Sequence, residues 1–220
     1  MIDQVRTNLL EEPNRFIGRE HELAAVCDLV RSSREVTLCG PAGIGKTRLA
    51  LHVLGEAIGQ FPDGAWFVEL ADERQPELVV FRIAAVLGIE EEPGRALIDT
   101  VADALRPREL ILALDNCEHL IEACARACSQ LLAAAPRLRV LATSREPLRV
   151  AAESVWQVPP LTLPPGAAAD PADVAGQADV AGLAGYDAVR LFAERAAAAL
   201  PGFTLRSGNA PAVAAVCRAL

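Results

Sequence analysis

Residues 40–47, Gly40-Pro41-Ala42-Gly43-Ile44-Gly45-Lys46-Thr47, constrain what this chain can fold into more than any other stretch. The apolar run Val36-Thr37-Leu38-Cys39 precedes them, and Arg48-Leu49-Ala50-Leu51-His52-Val53-Leu54 follows with helical spacing. A strand that passes through a glycine loop into a helix is a unit of a parallel α/β sheet. The pattern G-x-x-x-x-G-K-[ST] in that setting makes the loop a phosphate cradle, a P-loop. Glycines let the backbone curl until several N–H groups point into one concavity, at the positive end of the following helix. The loop from Gly40 through Arg48 is therefore predicted to wrap the phosphates of a nucleotide. Within it, Lys46 is placed to reach the β- and γ-phosphates, and the Thr47 hydroxyl to ligate Mg²⁺. Lys46 is also the only lysine among 21 basic Lys and Arg residues. A compact ammonium and a planar guanidinium are not interchangeable in such a cradle.

Two later strands carry further chemistry. Leu110-Ile111-Leu112-Ala113-Leu114 is nearly continuous in its apolar character, as a central parallel strand buried on both faces should be, and it ends in Asp115. Ligands of open α/β sheets gather beyond the carboxyl ends of the strands. Asp115 is thus expected to hold the Mg²⁺ hydration shell, as a Walker B aspartate does. The other reading makes it the N-cap of a helix over Glu118 to Ala135. Asn116 follows where motor-type ATPases carry a glutamate, and an amide cannot act as a general base. Glu118 is the nearest carboxylate that could substitute. The strand Leu138-Arg139-Val140-Leu141-Ala142-Thr143 runs into Ser144-Arg145.

The remaining pattern predicts helices over about 20–31, 76–87, 96–105, 186–200 and 209–220, with strands at 65–70 and 154–158. Residues 1–13 read as a loosely fixed extension and 14–160 as the nucleotide-binding domain. Residues 161–185, rich in Pro, Ala, Gly and Asp, read as a linker. Residues 186–220 read as the truncated start of a helical lid subdomain. The fold class expected is α/β: a five-stranded parallel sheet sandwiched by helices, of the P-loop NTPase type, followed by that lid.

The net charge of −8 argues against direct nucleic-acid binding by this segment, because phosphate backbones are bound by clustered cations. No run of 18 apolar residues suggests a membrane span, and no signal peptide is evident, so a soluble, cytoplasmic protein is expected. The six cysteines form no C-x-x-C pairs, which disfavours a zinc ribbon. Cys124 and Cys128 share a helical face near Cys117, and buried thiols account for them better than a redox or metal role.

Phe16-Ile17-Gly18-Arg19-Glu20, about twenty residues ahead of the loop, and Asp115-Asn116-Cys117-Glu118-His119-Leu120 together resemble the signal-transduction ATPases with numerous domains. That family includes the NB-ARC ATPases and the ATPase modules of AfsR/LuxR-type bacterial transcriptional regulators. The resemblance implies that Phe16, Ile17, Gly18 and Arg19 contact adenine, and that Arg145 senses the γ-phosphate, on a sensor strand inserted between the strands of the P-loop and Asp115. It also implies a Mg²⁺-dependent ATP/ADP switch that hydrolyses slowly, self-assembles in its ATP state and works with flanking effector and sensor domains. Two alternatives stay open: a conventional motor ATPase or phosphotransferase, and a degenerate interaction domain that binds nucleotide structurally or not at all.

Overall fold

The computed structural model describes residues 7–9, 15–165 and 180–219, arranged as two compact units. The first unit holds residues 1–13 and 20–159. The second holds 14–19 and 160–220. The segment 14–19 thus groups with the helical residues of the second unit, whereas the sequence suggests it belongs with the phosphate loop.

In the first unit five strands form one parallel sheet. They are β1 (Glu35–Cys39), β2 (Ala65–Glu69), β3 (Ile111–Asp115), β4 (Arg139–Ser144) and β5 (Ser154–Gln157), in the order β2-β3-β4-β1-β5. Strand β4 therefore lies between the strand that leads into the phosphate loop and the strand that ends in Asp115, as the motif order implies. Every residue of β1 and β3 is buried, as expected of strands covered on both faces. The pleat sends alternate residues to opposite faces. Leu112, Leu114, Val140 and Ala142 share one core cluster with α3 (Leu78–Leu87), α4 (Leu97–Leu105) and α5 (Ile121–Ala134). Toward the other face, α2 (Lys46–Ala57) buries Leu49, Ala50, Val53 and Leu54 and packs with β1–β4 and with α1 (Glu20–Ser32).

Local chemistry explains the element ends. Phe61-Pro62-Asp63-Gly64 turns the chain into β2: Gly64 has φ 95, its N–H donates to the Phe61 carbonyl, and the Asp63 carboxylate accepts from the Glu109 N–H. Helix α3 stops at Gly88, in the left-handed region, and the Ile89 N–H closes back on the Ala84 carbonyl. Its predicted first turn from Pro76 is a hydrogen-bonded turn outside the helix, and the regular helix begins at Leu78.

Two expectations change. The helix expected from Glu118 is a short 3-10 turn over Cys117–His119, and α5 proper starts at Ile121. Within the N-terminal extension, residues 7–9 are fixed on the outer edge of β2. Thr7 bridges Ala65, and the Asn8 side-chain amide imitates a strand residue: its Nδ2 donates to the Phe67 carbonyl and its Oδ1 accepts from the Phe67 N–H, both at 2.8 Å. A sheet edge that would otherwise offer unpaired groups is covered by a side chain.

The second unit contains α6 (Val180–Leu183), α7 (Asp187–Ala199) and α8 (Ala210–Ala219), with Val189, Val213 and Cys217 at the centre of a small core. The Asn209 side chain, expected to cap α8, faces backward, accepting from the Arg206 N–H and donating to the Thr204 carbonyl. Most of the expected linker, residues 166–179, lies outside the described residues. None of the described helices is long and apolar enough to cross a membrane.

Candidate functional site

The site is assembled at the carboxyl ends of β1, β3 and β4. Gly43 (φ 77) and Gly45 (φ 95) adopt the left-handed backbone that lets the loop curl. Gly45 sits at the N-cap of α2, which has no side-chain cap, so the helix presents its first N–H groups to the loop. Lys46 is 8% exposed, and its Nζ donates to the carbonyls of Gly40 at 2.9 Å and Pro41 at 3.1 Å. The ammonium is therefore held inside the loop rather than projecting from it.

Beside the loop, Thr47 Oγ1 donates to Asp115 Oδ1 at 2.8 Å and approaches Oδ2 at 3.1 Å. Thr143 Oγ1, from β4, donates to the same Oδ1 at 2.5 Å and accepts from the Asn116 N–H at 2.9 Å. Asp115 is thus not the cap of a helix; its buried carboxylate is clamped between two hydroxyls from different elements. Thr143 is the site residue that the sequence reading missed. The available signal was a hydroxyl at the end of a strand two residues before Arg145. Hydroxyl and carboxylate oxygens side by side suit a hard cation. No group of three or more acidic, His or Cys side chains among the described residues could hold a metal alone.

Asn116 has φ 63, so the chain reverses immediately after Asp115. Cys117 Sγ then donates to the Leu114 carbonyl, and His119 Nε2 lies 2.6 Å from the Glu73 carbonyl. The turn is pinned on both sides of Glu118, whose Oε1 accepts from Arg145 Nε at 3.0 Å. Two residues expected to serve the γ-phosphate end of the site therefore hold each other. The Cys117 thiol is held well above the usual thiol range by the neighbouring Cys124 thiol and by burial, and burial does the same to Cys128. All six cysteines are free and buried.

The residues expected at adenine lie in the second unit. Phe16 and Ile17 join Arg15, Val189, Ala193 and Leu205 in lining a cavity of about 310 Å³. Gly18 and Arg19 both have φ 66. A Cβ on Gly18 would lie 2.4 Å from Asp187 Cγ, so only glycine fits this turn. Asp187 opens α7, accepts from Arg190 and shares two hydrogen bonds with the Thr162 hydroxyl. Arg48, expected at the phosphates, is the third residue of α2 and half-buried.

No family model matches the chain. A Mycobacterium tuberculosis protein provisionally named an HTH-type transcriptional regulator is 38% identical over 192 residues, which are 87% of this chain and 19% of that protein. An uncharacterized protein of the same organism is 35% identical over 205 residues, covering 93% of this chain and 47% of its own length. The regulatory protein AfsR of Streptomyces coelicolor is 34% identical over 110 residues, covering 39% of this chain and 11% of its own. The chain thus spans about a fifth of the HTH-type relatives and about half of the uncharacterized one. Among solved structures, a signal-transduction ATPase with numerous domains and a tetratricopeptide repeat sensor, from Pyrococcus horikoshii, matches with a TM-score of 0.52 at 16% identity over 98% of this chain and 29% of that one. A Drosophila ORC bound to DNA matches with a TM-score of 0.51 at 14% identity over 64% of this chain and 42% of that one. With a DNA-bound neighbour in view, the expectation that this segment avoids nucleic acid rests on its charge alone. At these identities the structural matches speak to the fold, and they agree with the parallel sheet and its strand order: the chain has the α/β fold of the P-loop NTPases.

Proposed function

We propose that this chain is the nucleotide-binding switch module of a larger bacterial transcriptional or signalling regulator, binding ATP or ADP with Mg²⁺ in the cytoplasm and hydrolysing ATP slowly. The observation that carries the reading is the hydrogen bond between Thr47 and Asp115, next to the buried ammonium of Lys46. A cation-binding pair and a phosphate-binding group stand together at a helix N-terminus. The regulator names of the relatives support the larger setting.

Each side chain has a distinct task under this reading. Lys46 and the N–H groups at the start of α2 bind the β- and γ-phosphates. Thr47 and Asp115 would hold the Mg²⁺, which when bound neutralises phosphate charge. Phe16, Ile17, Gly18 and Arg19 contact the adenine. Arg145 reads the γ-phosphate, for which a guanidinium offers paired donors. Slow turnover follows from Asn116, which cannot take a proton from water. Flanking effector and sensor domains, and self-assembly in the ATP state, belong to the same proposal.

Calorimetric titration with ADP and with ATP, paired with single-turnover phosphate release, tests it. Micromolar binding and hydrolysis below about one turnover per minute are expected, in line with unassisted switch NTPases. Faster hydrolysis sinks the slow-switch reading in favour of a turnover enzyme. Absence of binding leaves an interaction domain.

A further inference from the structure

The side chains of Glu118 and Arg145 come from different elements, the turn after β3 and the end of β4. Their pairing is unequal. Glu118 is 17% exposed at its side chain, and its Oε2 is buried without a hydrogen-bond partner, whereas Arg145 is 61% exposed. Glu118 is also on the more rigid support, since Cys117 is tied to Leu114 and His119 to Glu73. Arg145 engages Glu118 through Nε, and its terminal amino groups have no hydrogen-bond partner among the described residues. The parallel register pairs Ser144 with Cys39, so Arg145 leaves the sheet alongside Gly40, at the first residue of the phosphate loop.

From this geometry we propose that the Glu118–Arg145 pair is a gate worked by the γ-phosphate, and that Glu118, once released, is the general base for hydrolysis. The inference rests on the nucleotide-binding reading above. Arg145 can swing because most of it is in solvent, while Glu118 stays where the turn holds it. A terminal phosphate beside Gly40 offers Arg145 a doubly charged partner in place of a single carboxylate, and bidentate contact favours the exchange. ADP, with no γ-phosphate, leaves the pair closed. When the pair opens, Glu118 has both oxygens free, and it is the carboxylate closest in sequence to the amide that occupies the usual base position. It accepts a proton from water as the water oxygen bonds to the γ-phosphorus. The bond from phosphorus to the β–γ bridging oxygen breaks, and the electron pair leaves with ADP. The proton passes from Glu118 to the inorganic phosphate, which restores the carboxylate for Arg145.

The gate predicts that the closed pair competes with ATP but not with ADP. Glu118→Gln removes the competing charge and the base together. In the variant the ratio of ADP to ATP dissociation constants should rise about fivefold, the worth of one partly exposed ion pair, while single-turnover hydrolysis falls at least about 100-fold. In an Arg145→Ala background, Glu118→Gln should leave the ratio unchanged. Labelled ADP and a non-hydrolysable ATP analogue, titrated into the four proteins, give the four ratios. A ratio that Glu118→Gln fails to move, or moves equally without Arg145, overturns the gate while leaving nucleotide binding intact. Hydrolysis that survives Glu118→Gln overturns the base. A wild-type chain that binds neither nucleotide removes the underlying reading and the gate with it.

Discussion

Thr47 and Asp115 meet at 2.8 Å although 68 residues separate them in sequence and strand β4 stands between β3 and the strand that leads into the loop. The contact closes the loop against the sheet and fixes where a carboxylate can serve a cation. Asp115→Asn keeps the shape and one acceptor for the two threonine hydroxyls but removes the charge. Nucleotide binding without Mg²⁺ should persist within a few-fold, and Mg²⁺-dependent phosphate release should fall by about 100-fold or more. Phosphate release measured with and without Mg²⁺ reports the outcome; undiminished Mg²⁺-dependent release would show that Asp115 has no part in it.

Lys46 is packed between loop carbonyls, so its removal takes away a charge and two internal hydrogen bonds. Lys46→Ala should weaken ATP binding by about 100-fold, a loss typical of a buried charge-assisted contact, and ADP binding by less. Titration calorimetry with both nucleotides checks this. Normal ATP affinity in the variant would sink the cradle assignment.

Gly18 tolerates no side chain, for two separable reasons: its φ of 66 and the 2.4 Å approach to Asp187. Gly18→Ala is expected to destabilise the second unit by about 2–4 kcal/mol, combining backbone strain with overpacking. Adding Asp187→Gly, which removes the Cγ and also the Cβ at 2.8 Å, should recover the overpacking part relative to Asp187→Gly alone and leave about 1 kcal/mol of strain. Hydrogen exchange of α7 in the single and double variants separates the two contributions. No recovery in the double variant would show that Asp187 is not the obstacle.

Glu35 opens β1 almost fully buried, with neither carboxylate oxygen hydrogen-bonded among the described residues. Burial, reinforced by the nearby Glu153, pushes its pKa up to about 7 from the model-peptide value of 4.5. Between those values the folded chain holds a proton that the unfolded chain releases. The stability linked to the protonated form is complete below about pH 4.5 and is lost as pH rises through about 7, a swing of about 3 kcal/mol. Glu35→Gln should therefore raise stability at pH 8 and change it little at pH 4. Urea unfolding at both pH values decides the matter, and equal shifts at the two would exclude the linkage.

What the sequence made legible was local in origin. The strand, loop and helix around Gly40–Thr47 announce themselves because glycine spacing and helical periodicity act within a dozen residues. Asp115 is legible because a nearly continuous apolar run ends in a carboxylate. The clamp on that carboxylate was not, since Thr143 finds it only through the pairing of β3 with β4. The Asn8 side chain standing in for a strand depends likewise on a partner about 60 residues away. The sequence pattern puts the helix start three residues early because Glu118 and His119 have ordinary helical preferences. They are drawn instead into side-chain contacts with Arg145 and with the Glu73 carbonyl. Phe16–Arg19 precede α1 directly, yet their packing is set by Thr162, Asp187 and Val189, far along the chain.

Strand β4 has hydrogen-bonded ladders on both sides, to β1 and to β3. A strand held in this way cannot slide by one register without breaking two ladders and turning its buried residues to the opposite face. The sheet is therefore a fixed frame of reference, and under the proposed switch any signal of a bound nucleotide has to leave through the loops along one rim. Slow-exchanging amides in β1, β3 and β4 should look the same with either nucleotide, while differences gather in residues 116–120 and 145–149. Such a switch would work less like a lever than like a ruler, rigid where it measures and mobile only at the mark.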